Sequence, residues 1–225
     1  GGSEFVLSAR FSLPYSLWNG IDYANLGDLE KFQDDDGNPD PAKIEQEKFK
    51  WLEFYKIKFK GSWYTRLFDK LVLRTHTEFG FLGAFNNDRG VIPFDRFFLG
   101  GDGMSQYAMD GRETISLRGY PNQSLSSQDG STIYNRFSLE LRYPITLKPA
   151  ASIFGLTFME TGQGYDNFRE FNPFNGKRSV GLGLRIFMPA FGLLGIDFGY
   201  GLDSVNEFNL EPNGWETHFV IGQQF

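Results

Sequence analysis

One segment near the middle of the chain carries a polar or charged residue at every second position. Within residues 136–143, apolar side chains alternate with Arg136, Ser138, Glu140 and Arg142. A period of two is the spacing of a β-strand, whose successive side chains point to opposite faces. The core of a β-sandwich could not accept this charged row, because burying unpaired charges is costly. The segment therefore predicts a sheet with one apolar face and one face that lines a wet interior.

The same alternation recurs along the chain and predicts about eight strands. Aromatic residues make up 17% of the 225 residues, yet the mean hydropathy is −0.35. This combination is typical of a sheet with one apolar face and one face in contact with water. No stretch approaches the roughly 20 apolar residues of a membrane-spanning helix. The strand segments lie within residues 3–17, 55–63, 71–81, 137–143, 150–162, 180–186, 194–202 and 217–225. Of these, 150–162 is the weakest, because both of its faces are fairly apolar.

The connections between these segments alternate in length. Three are short, at residues 68–70, 146–149 and 188–192, and four are long and polar, at about 18–50, 86–131, 163–177 and 203–214. Short turns on one rim and long extracellular loops on the other are typical of bacterial outer-membrane barrels. We therefore predict an all-β fold, an antiparallel transmembrane β-barrel in one domain over residues 1–225. If eight strands closed on themselves, loop 86–131 would have to lie outside, whereas a larger barrel has room for it.

The longest loop contains a motif that carries a family resemblance. Leu117-Arg118-Gly119-Tyr120, preceded by residues 94–101 with their Gly-Gly pair, resembles the conserved loop of the BamA family of outer-membrane assembly factors and their translocation relatives. Further segments match in order and spacing, at residues 138–144, 159–162, 179–189 and 219–225. The resemblance covers the chain from about residue 70 to its end, and the preceding residues agree only in pattern.

The resemblance implies that the chain is the C-terminal half, strands nine to sixteen, of a 16-stranded barrel with the motif in its sixth extracellular loop. The chain opens at Gly1 without an initiator Met or a signal peptide, and we expect it to be a fragment. We expect the first barrel half, and the periplasmic modules that precede such barrels, to be absent from it.

The resemblance also implies partners for the motif arginine. In the family this arginine folds into the lumen and pairs with acidic residues on the two strands after the loop, and the matching positions are Glu140 and Glu160. The alternation independently places Glu140 on the wet face. A bidentate pair of arginine and carboxylate has the geometry to hold a long loop. Because the lumen should be watery, we expect Arg118 to order the loop rather than to add much stability.

The C-terminal strand is the second candidate functional feature. Phe219, Ile221 and Phe225 share its apolar face, and its ending is typical of the signal that outer-membrane barrels present to the assembly machinery. An exposed strand edge offers unpaired N–H and C=O groups to another strand. Gly222 matches the family's kink glycine, and glycine weakens strand pairing. We predict that this strand forms one side of a lateral gate.

Enzyme chemistry is not indicated by the sequence. The chain has no Cys, His76 and His218 lack metal-ligand spacing, and no Ser-His-Asp arrangement stands out. We expect no catalytic residue, no metal and no cofactor. Residues 34–38 start like a calcium loop, but Glu47 is too distant for EF-hand spacing, so we expect a solvated acidic loop without flanking helices. The net charge of −6 argues against a nucleic-acid partner.

The leading functional hypothesis is an insertase of the BamA type, which is not an enzyme and templates client strands at a lateral gate next to its last strand. Its expected partners are client outer-membrane proteins, lipoproteins of an assembly complex and the lipid bilayer. The alternatives are a relative that secretes polypeptides through the barrel, or an independent eight-stranded porin, adhesin or enzyme. The motif does not separate assembly from secretion, and a closed eight-stranded sheet would contradict the half-barrel interpretation.

Overall fold

The computed structural model describes residues 1–103, 112–148, 151–189, 192–205 and 210–222. Eight antiparallel strands form one sheet in the order β1-β2-β3-β6-β7-β8-β9-β10, and β4 and β5 form a small parallel pair. The strands are β1 (Gly2–Phe11), β2 (Tyr55–Phe68), β3 (Leu71–Gly83), β4 (Phe97–Leu99), β5 (Glu113–Ile115), β6 (Ile133–Lys148), β7 (Ala151–Tyr165), β8 (Lys177–Met188), β9 (Gly192–Gly201) and β10 (Gly214–Gly222). The prediction of an antiparallel all-β fold with about eight strands is confirmed.

The sheet has two free edges in the described part of the chain. Each strand of the sheet pairs with the next in chain order, except that β3 pairs with β6 across residues 84–132. The outermost strands, β1 and β10, are joined to β2 and β9 alone. The described strands therefore do not close into an eight-stranded barrel. An independent eight-stranded porin, adhesin or enzyme would need that closing pair.

The two faces of the sheet differ as the alternation predicts. On β6, Ser138 and Glu140 are buried, whereas Leu139 and Tyr143 on the other face are exposed. The exposed apolar row continues across the sheet with Leu7, Trp63, Met159, Leu182, Phe198 and Phe219. An apolar outer face of this kind suits contact with lipid hydrocarbon.

The connection between β3 and β6, residues 84–132, is called the motif loop, and its described parts, residues 84–103 and 112–132, pack against the polar face of the sheet. Its short strands β4 and β5 pair in parallel and stiffen it. The main hydrophobic core consists of Leu82 of β3, Tyr134 of β6 and the loop residues Ile92, Phe97, Leu99, Ile115, Leu117, Tyr120 and Leu125. This core is therefore built mainly by a connection rather than by facing sheets.

The connection between β1 and β2, residues 12–54, contains a helix that the sequence analysis did not expect. The helix α1 (Pro41–Lys48) begins after Asp40, whose carboxylate accepts hydrogen bonds from two backbone N–H groups of the first turn. Pro41 fits the first helical position, because no intrahelical partner awaits an N–H there. The expectation of no helix beside residues 34–38 is therefore wrong. No helix in the described ranges is both long and apolar enough to cross a membrane.

Candidate functional site

The motif Leu117–Tyr120 follows β5 and lies against the polar face of the sheet. Leu117 is fully buried in the core, and its N–H donates to the Gly101 carbonyl at 3.1 Å. Gly119 has a φ of +86°, which lies in the left-handed region that favours glycine. This turn directs the residues on its two sides, Arg118 and Tyr120, toward different strands.

The Arg118 guanidinium contacts carboxylates from three strands. Its Nη2 donates to Glu140 Oε1 of β6 at 2.7 Å and to Glu160 Oε1 of β7 at 2.6 Å. Its Nη1 donates to Asp197 Oδ2 of β9 at 3.2 Å. The backbone N–H of Arg118 also donates to Glu160 Oε2 at 3.0 Å. These four residues are called the arginine anchor, and they include both carboxylates named from the sequence.

Each carboxylate of the arginine anchor is shared with an arginine of the sheet. These pairs are Arg142 with Glu140 at 2.8 Å, Arg136 with Glu160 at 2.7 Å, and Arg185 with Asp197 at 2.6 Å. Each buried carboxylate of the network therefore has at least two arginine partners. Within the described residues, no group of three or more His, Asp and Glu side chains is arranged to hold a metal ion.

The arginine anchor is buried rather than open to water. The side chain of Arg118 is 6% exposed, and those of Glu160 and Asp197 are 0% exposed. The Phe158 ring of β7 covers the guanidinium, with its centroid 3.7 Å away. The expectation of a watery surrounding is therefore wrong, because the motif loop and β7 exclude water here. Removing one partner from such a network leaves a buried charge uncompensated, at a cost well above that of a surface pair.

Glycines of β9 let the motif approach the sheet closely. A Cβ at Gly199 would lie 2.6 Å from the backbone nitrogen of Gly119, and a Cβ at Gly201 would lie 2.4 Å from its carbonyl oxygen. A Cβ on Gly119 itself would lie 2.9 Å from Ser179 Cβ. Side chains at these positions would push the motif away from the sheet. The small residues on the inner face of β9 therefore form the surface on which the motif docks.

The last strand of the sheet binds the motif glycine directly. The Gly119 N–H donates to His218 Nε2 of β10 at 2.8 Å, and the Gly119 carbonyl accepts from Asn213 Nδ2 at 2.9 Å. The Tyr120 hydroxyl donates to the Arg178 carbonyl of β8 at 2.6 Å. The motif therefore contacts every strand from β6 to β10.

Sequence reasoning missed Asp197 and His218 as partners of the motif. Both carried a usable signal, because the alternation places Asp197 on the small or acidic face of β9 and His218 on the face of β10 opposite Phe219. In the structure the two residues lie opposite each other in the ladder between β9 and β10. That register depends on strand pairing, which the sequence pattern alone did not supply.

A second cluster fixes the base of the motif loop to the first strands. Lys56 Nζ of β2 donates to the Asp95 carbonyl at 2.6 Å and pairs with Glu113 Oε2 at 2.7 Å. Lys58 Nζ pairs with Glu113 Oε1 at 2.6 Å, and Arg10 of β1 binds the Asp95 carboxylate. We call Lys56, Asp95 and Glu113 the lysine anchor. The loop is thus bound near both edges of the sheet.

The strand β10 carries the remaining candidate residues. Phe219 and Ile221 are each 54% exposed on the apolar face. Gly222 ends the strand, and a Cβ there would lie 3.6 Å from its nearest neighbour, Leu193 Cβ. Space therefore does not require glycine at this position, which leaves backbone freedom as the property that a substitution would change. Phe225 lies outside the described residues.

Comparisons with known proteins agree with this architecture. The profile of the Omp85 superfamily domain matches residues 42–225. The crystal structure of BamA from Haemophilus ducreyi lacking POTRA domains 1–3 is similar, with a TM-score of 0.53 and 20% sequence identity over 74% of this chain. The present chain covers 34% of that chain, about a third of its length. A comparison with curated proteins found no match.

Proposed function

This chain belongs to the Omp85 superfamily, and on that premise we propose that it inserts client β-barrel proteins into the outer membrane. It is an integral protein of the bacterial outer membrane, in a family that acts in protein assembly and translocation. In this proposal its strands are the C-terminal half of a larger barrel, whose other half and periplasmic modules belong to the same protein. Lipoproteins of an assembly complex and the bilayer are its further partners. No chemical step is involved, so the protein acts without a catalytic residue.

The position of β10 at the edge of the sheet is the observation that carries this proposal, since in the full barrel the last strand meets the first strand of the other half at this edge, and a client strand can take that strand's place. Within the described ranges the strand pairs on one side, from Gly214↔Gly201 to Gly222↔Leu193. A free edge presents unpaired N–H and C=O groups that an incoming strand can bind. Because Phe219 is exposed on the apolar face beside this edge, a client strand added there would keep its own apolar face toward lipid.

The position of the motif loop favours insertion over secretion. A secreted polypeptide has to pass through the lumen, and the motif loop covers the polar face from Lys56 on β2 to His218 on β10. Displacing the loop would break several buried charged hydrogen bonds at once. A client that binds at the sheet edge needs no such displacement.

Site-specific cross-linking in cells tests the proposed function. These 225 residues contain no Cys, so Phe219→Cys introduces the one thiol of this part of the barrel, beside the edge of β10. Leu182→Cys is a matched control on an inner strand, since Leu182 is 61% exposed and Phe219 is 54% exposed. We expect newly made barrel proteins to cross-link through Phe219→Cys and not through the control. Equal cross-linking at both sites, or capture of secreted soluble proteins, would contradict insertion.

Replacing Gly222 tests whether the end of β10 has to bend. An added Cβ has room there, because its nearest atom is 3.6 Å away, and the β-branched valine favours a regular strand. We expect Gly222→Val to fold in the membrane but to assemble clients several-fold more slowly. Gly2→Val on β1 is the control, since a Cβ there meets nothing within 4 Å. Full assembly activity of Gly222→Val would show that insertion of clients does not require β10 to bend at this position.

A further inference from the structure

We propose that His218 is a positioning residue through which the motif loop holds the first half of β10. As a result, β10 separates from β9 beginning at the C-terminal end of β10. The inference rests on the proposed function and adds to it a fixed point on the strand that receives clients. Its basis is the contact between Gly119 and the last strand.

Both backbone polar groups of Gly119 are bound by the β10 region. The N–H donates to His218 Nε2 at 2.8 Å, and the carbonyl accepts from Asn213 Nδ2, one residue before the strand, at 2.9 Å. To accept this hydrogen bond, the imidazole must be neutral and carry its proton on Nδ1. His218 is 4% exposed, so losing the ring nitrogen would leave a buried N–H without its acceptor.

The position of His218 in the ladder joins this contact to the arginine anchor. His218 lies opposite Asp197 of β9, and Asp197 accepts from Arg118 Nη1 at 3.2 Å. Consecutive motif residues, Arg118 and Gly119, therefore bind consecutive strands at one level of the sheet. The motif holds β9 and β10 together at that level in addition to their own backbone ladder.

Beyond His218, the inner face of β10 offers the motif no polar side chain within the described residues, which end at Gly222. The next inward positions are Val220 and Gly222, neither of which has a side-chain hydrogen-bonding group. A Cβ at Gly222 would have no neighbour closer than 3.6 Å. The segment from Phe219 to Gly222 is thus held by its ladder to residues 193–196 of β9. Since the first half of the strand has two kinds of attachment and the second half has one, separation starts in the second half.

Hydrogen–deuterium exchange of the full-length protein in detergent micelles tests this inference. In the wild type, we expect amides of residues 214–218 to exchange more slowly than those of residues 219–222. His218→Leu removes the acceptor and should accelerate exchange of residues 214–218 on the order of tenfold. His218→Gln restores an acceptor and should restore much of the protection. Thr217→Val, on the exposed face of the same strand, is the control and should leave exchange unchanged.

Two outcomes would overturn the inference. Unchanged exchange of residues 214–218 in His218→Leu would mean that the motif does not hold the strand. Equal acceleration in β2 and β3 would mean that His218 supports the whole barrel rather than one strand. The exchange pattern does not depend on client binding, so it stands apart from the Phe219→Cys cross-link. If the cross-link fails while the exchange pattern is as expected, the proposed function is wrong and the role of His218 in holding the strand is retained.

Discussion

The two anchors of the motif loop use opposite charges. At the arginine anchor the loop contributes the cation Arg118, and the strands contribute carboxylates. At the lysine anchor the loop contributes Asp95 and Glu113, and β2 contributes Lys56 and Lys58. If the loop were shifted so that either end docked at the other site, it would meet charges of its own sign. The reversed polarity therefore selects one position of the loop on the sheet.

The anchors also differ in how far water reaches them. The carboxylates Glu160 and Asp197 of the arginine anchor are 0% exposed, whereas Asp95 and Glu113 of the lysine anchor are 31% and 23% exposed. Partly exposed ion pairs are screened by solvent and contribute less to stability. We therefore expect the arginine anchor to fix the loop. The lysine anchor should be the one whose contribution to stability changes with pH.

The largest effect should come from removing the motif cation. Arg118→Met keeps the length of the side chain but leaves three buried carboxylates short of one partner, which should lower the free energy of unfolding by about 3–5 kcal/mol. Denaturant titration of the full-length protein in micelles measures this. Arg178→Met is the control, because that side chain is 64% exposed and its loss should change little. Equal losses of stability in Arg118→Met and Arg178→Met would show that burial does not decide the contribution of an arginine.

Lys56→Met should have a smaller effect at the other anchor. Asp95 and Glu113 are partly exposed to solvent and keep Arg10 and Lys58, so we expect a loss of about 1.5–3 kcal/mol. The same titration, with limited proteolysis of the motif loop, gives the comparison. Lys43→Met in α1 is a matched control because its side chain is 48% exposed. A loss of stability as large as that of Arg118→Met would contradict the expected difference between the two anchors.

A substitution on β9 should disturb the arginine anchor without removing a charge. In Gly201→Ala the added Cβ would lie 2.4 Å from the Gly119 carbonyl oxygen, so the motif must shift, at a cost of about 1–3 kcal/mol. Gly155→Ala on β7 is the control, since its nearest neighbour is 3.9 Å away. Denaturant titration of both variants measures the difference, and equal stability would mean that the motif does not pack closely on β9.

Acidification should produce the smallest effect and should act on the lysine anchor. Burial alone would raise the pKa of Glu113, but hydrogen bonds and charges from Lys56 and Lys58 outweigh it and hold that pKa below its usual range. A lowered folded-state pKa means that the stabilisation is complete above the unfolded value and is lost as pH falls through the folded value.

Limited proteolysis across a pH series tests this expectation. Cleavage of the motif loop should increase below about pH 4, where glutamate begins to bind protons. Glu113→Gln should already be more susceptible at neutral pH and should show a weaker dependence on pH. If cleavage increased equally at low pH in the wild type and in Glu113→Gln, a titratable group other than Glu113 would be responsible.

The strands and their faces could be read from the sequence because each depends on neighbouring residues. Glu140 and Glu160 were found because the family resemblance and the order of strands pointed to them. The lysine anchor was missed, since Lys56 and Glu113 are far apart in the chain and their contact depends on the path of the loop. The helix α1 was missed although the Asp40-Pro41 pair is a start signal that lies entirely within the sequence.

The main core and the motif differ in the sequence position of the residues that they join. Its residues lie within one continuous stretch, from Leu82 to Tyr134, so the part of the sheet that packs on the motif loop has a short sequence separation. The partners of Arg118 and Gly119 all follow later in the chain, at Glu140, Glu160, Asp197 and His218. The motif therefore precedes in the sequence every strand that binds it. Arg118 and Gly119 join four later strands, β6, β7, β9 and β10, at one place on the sheet.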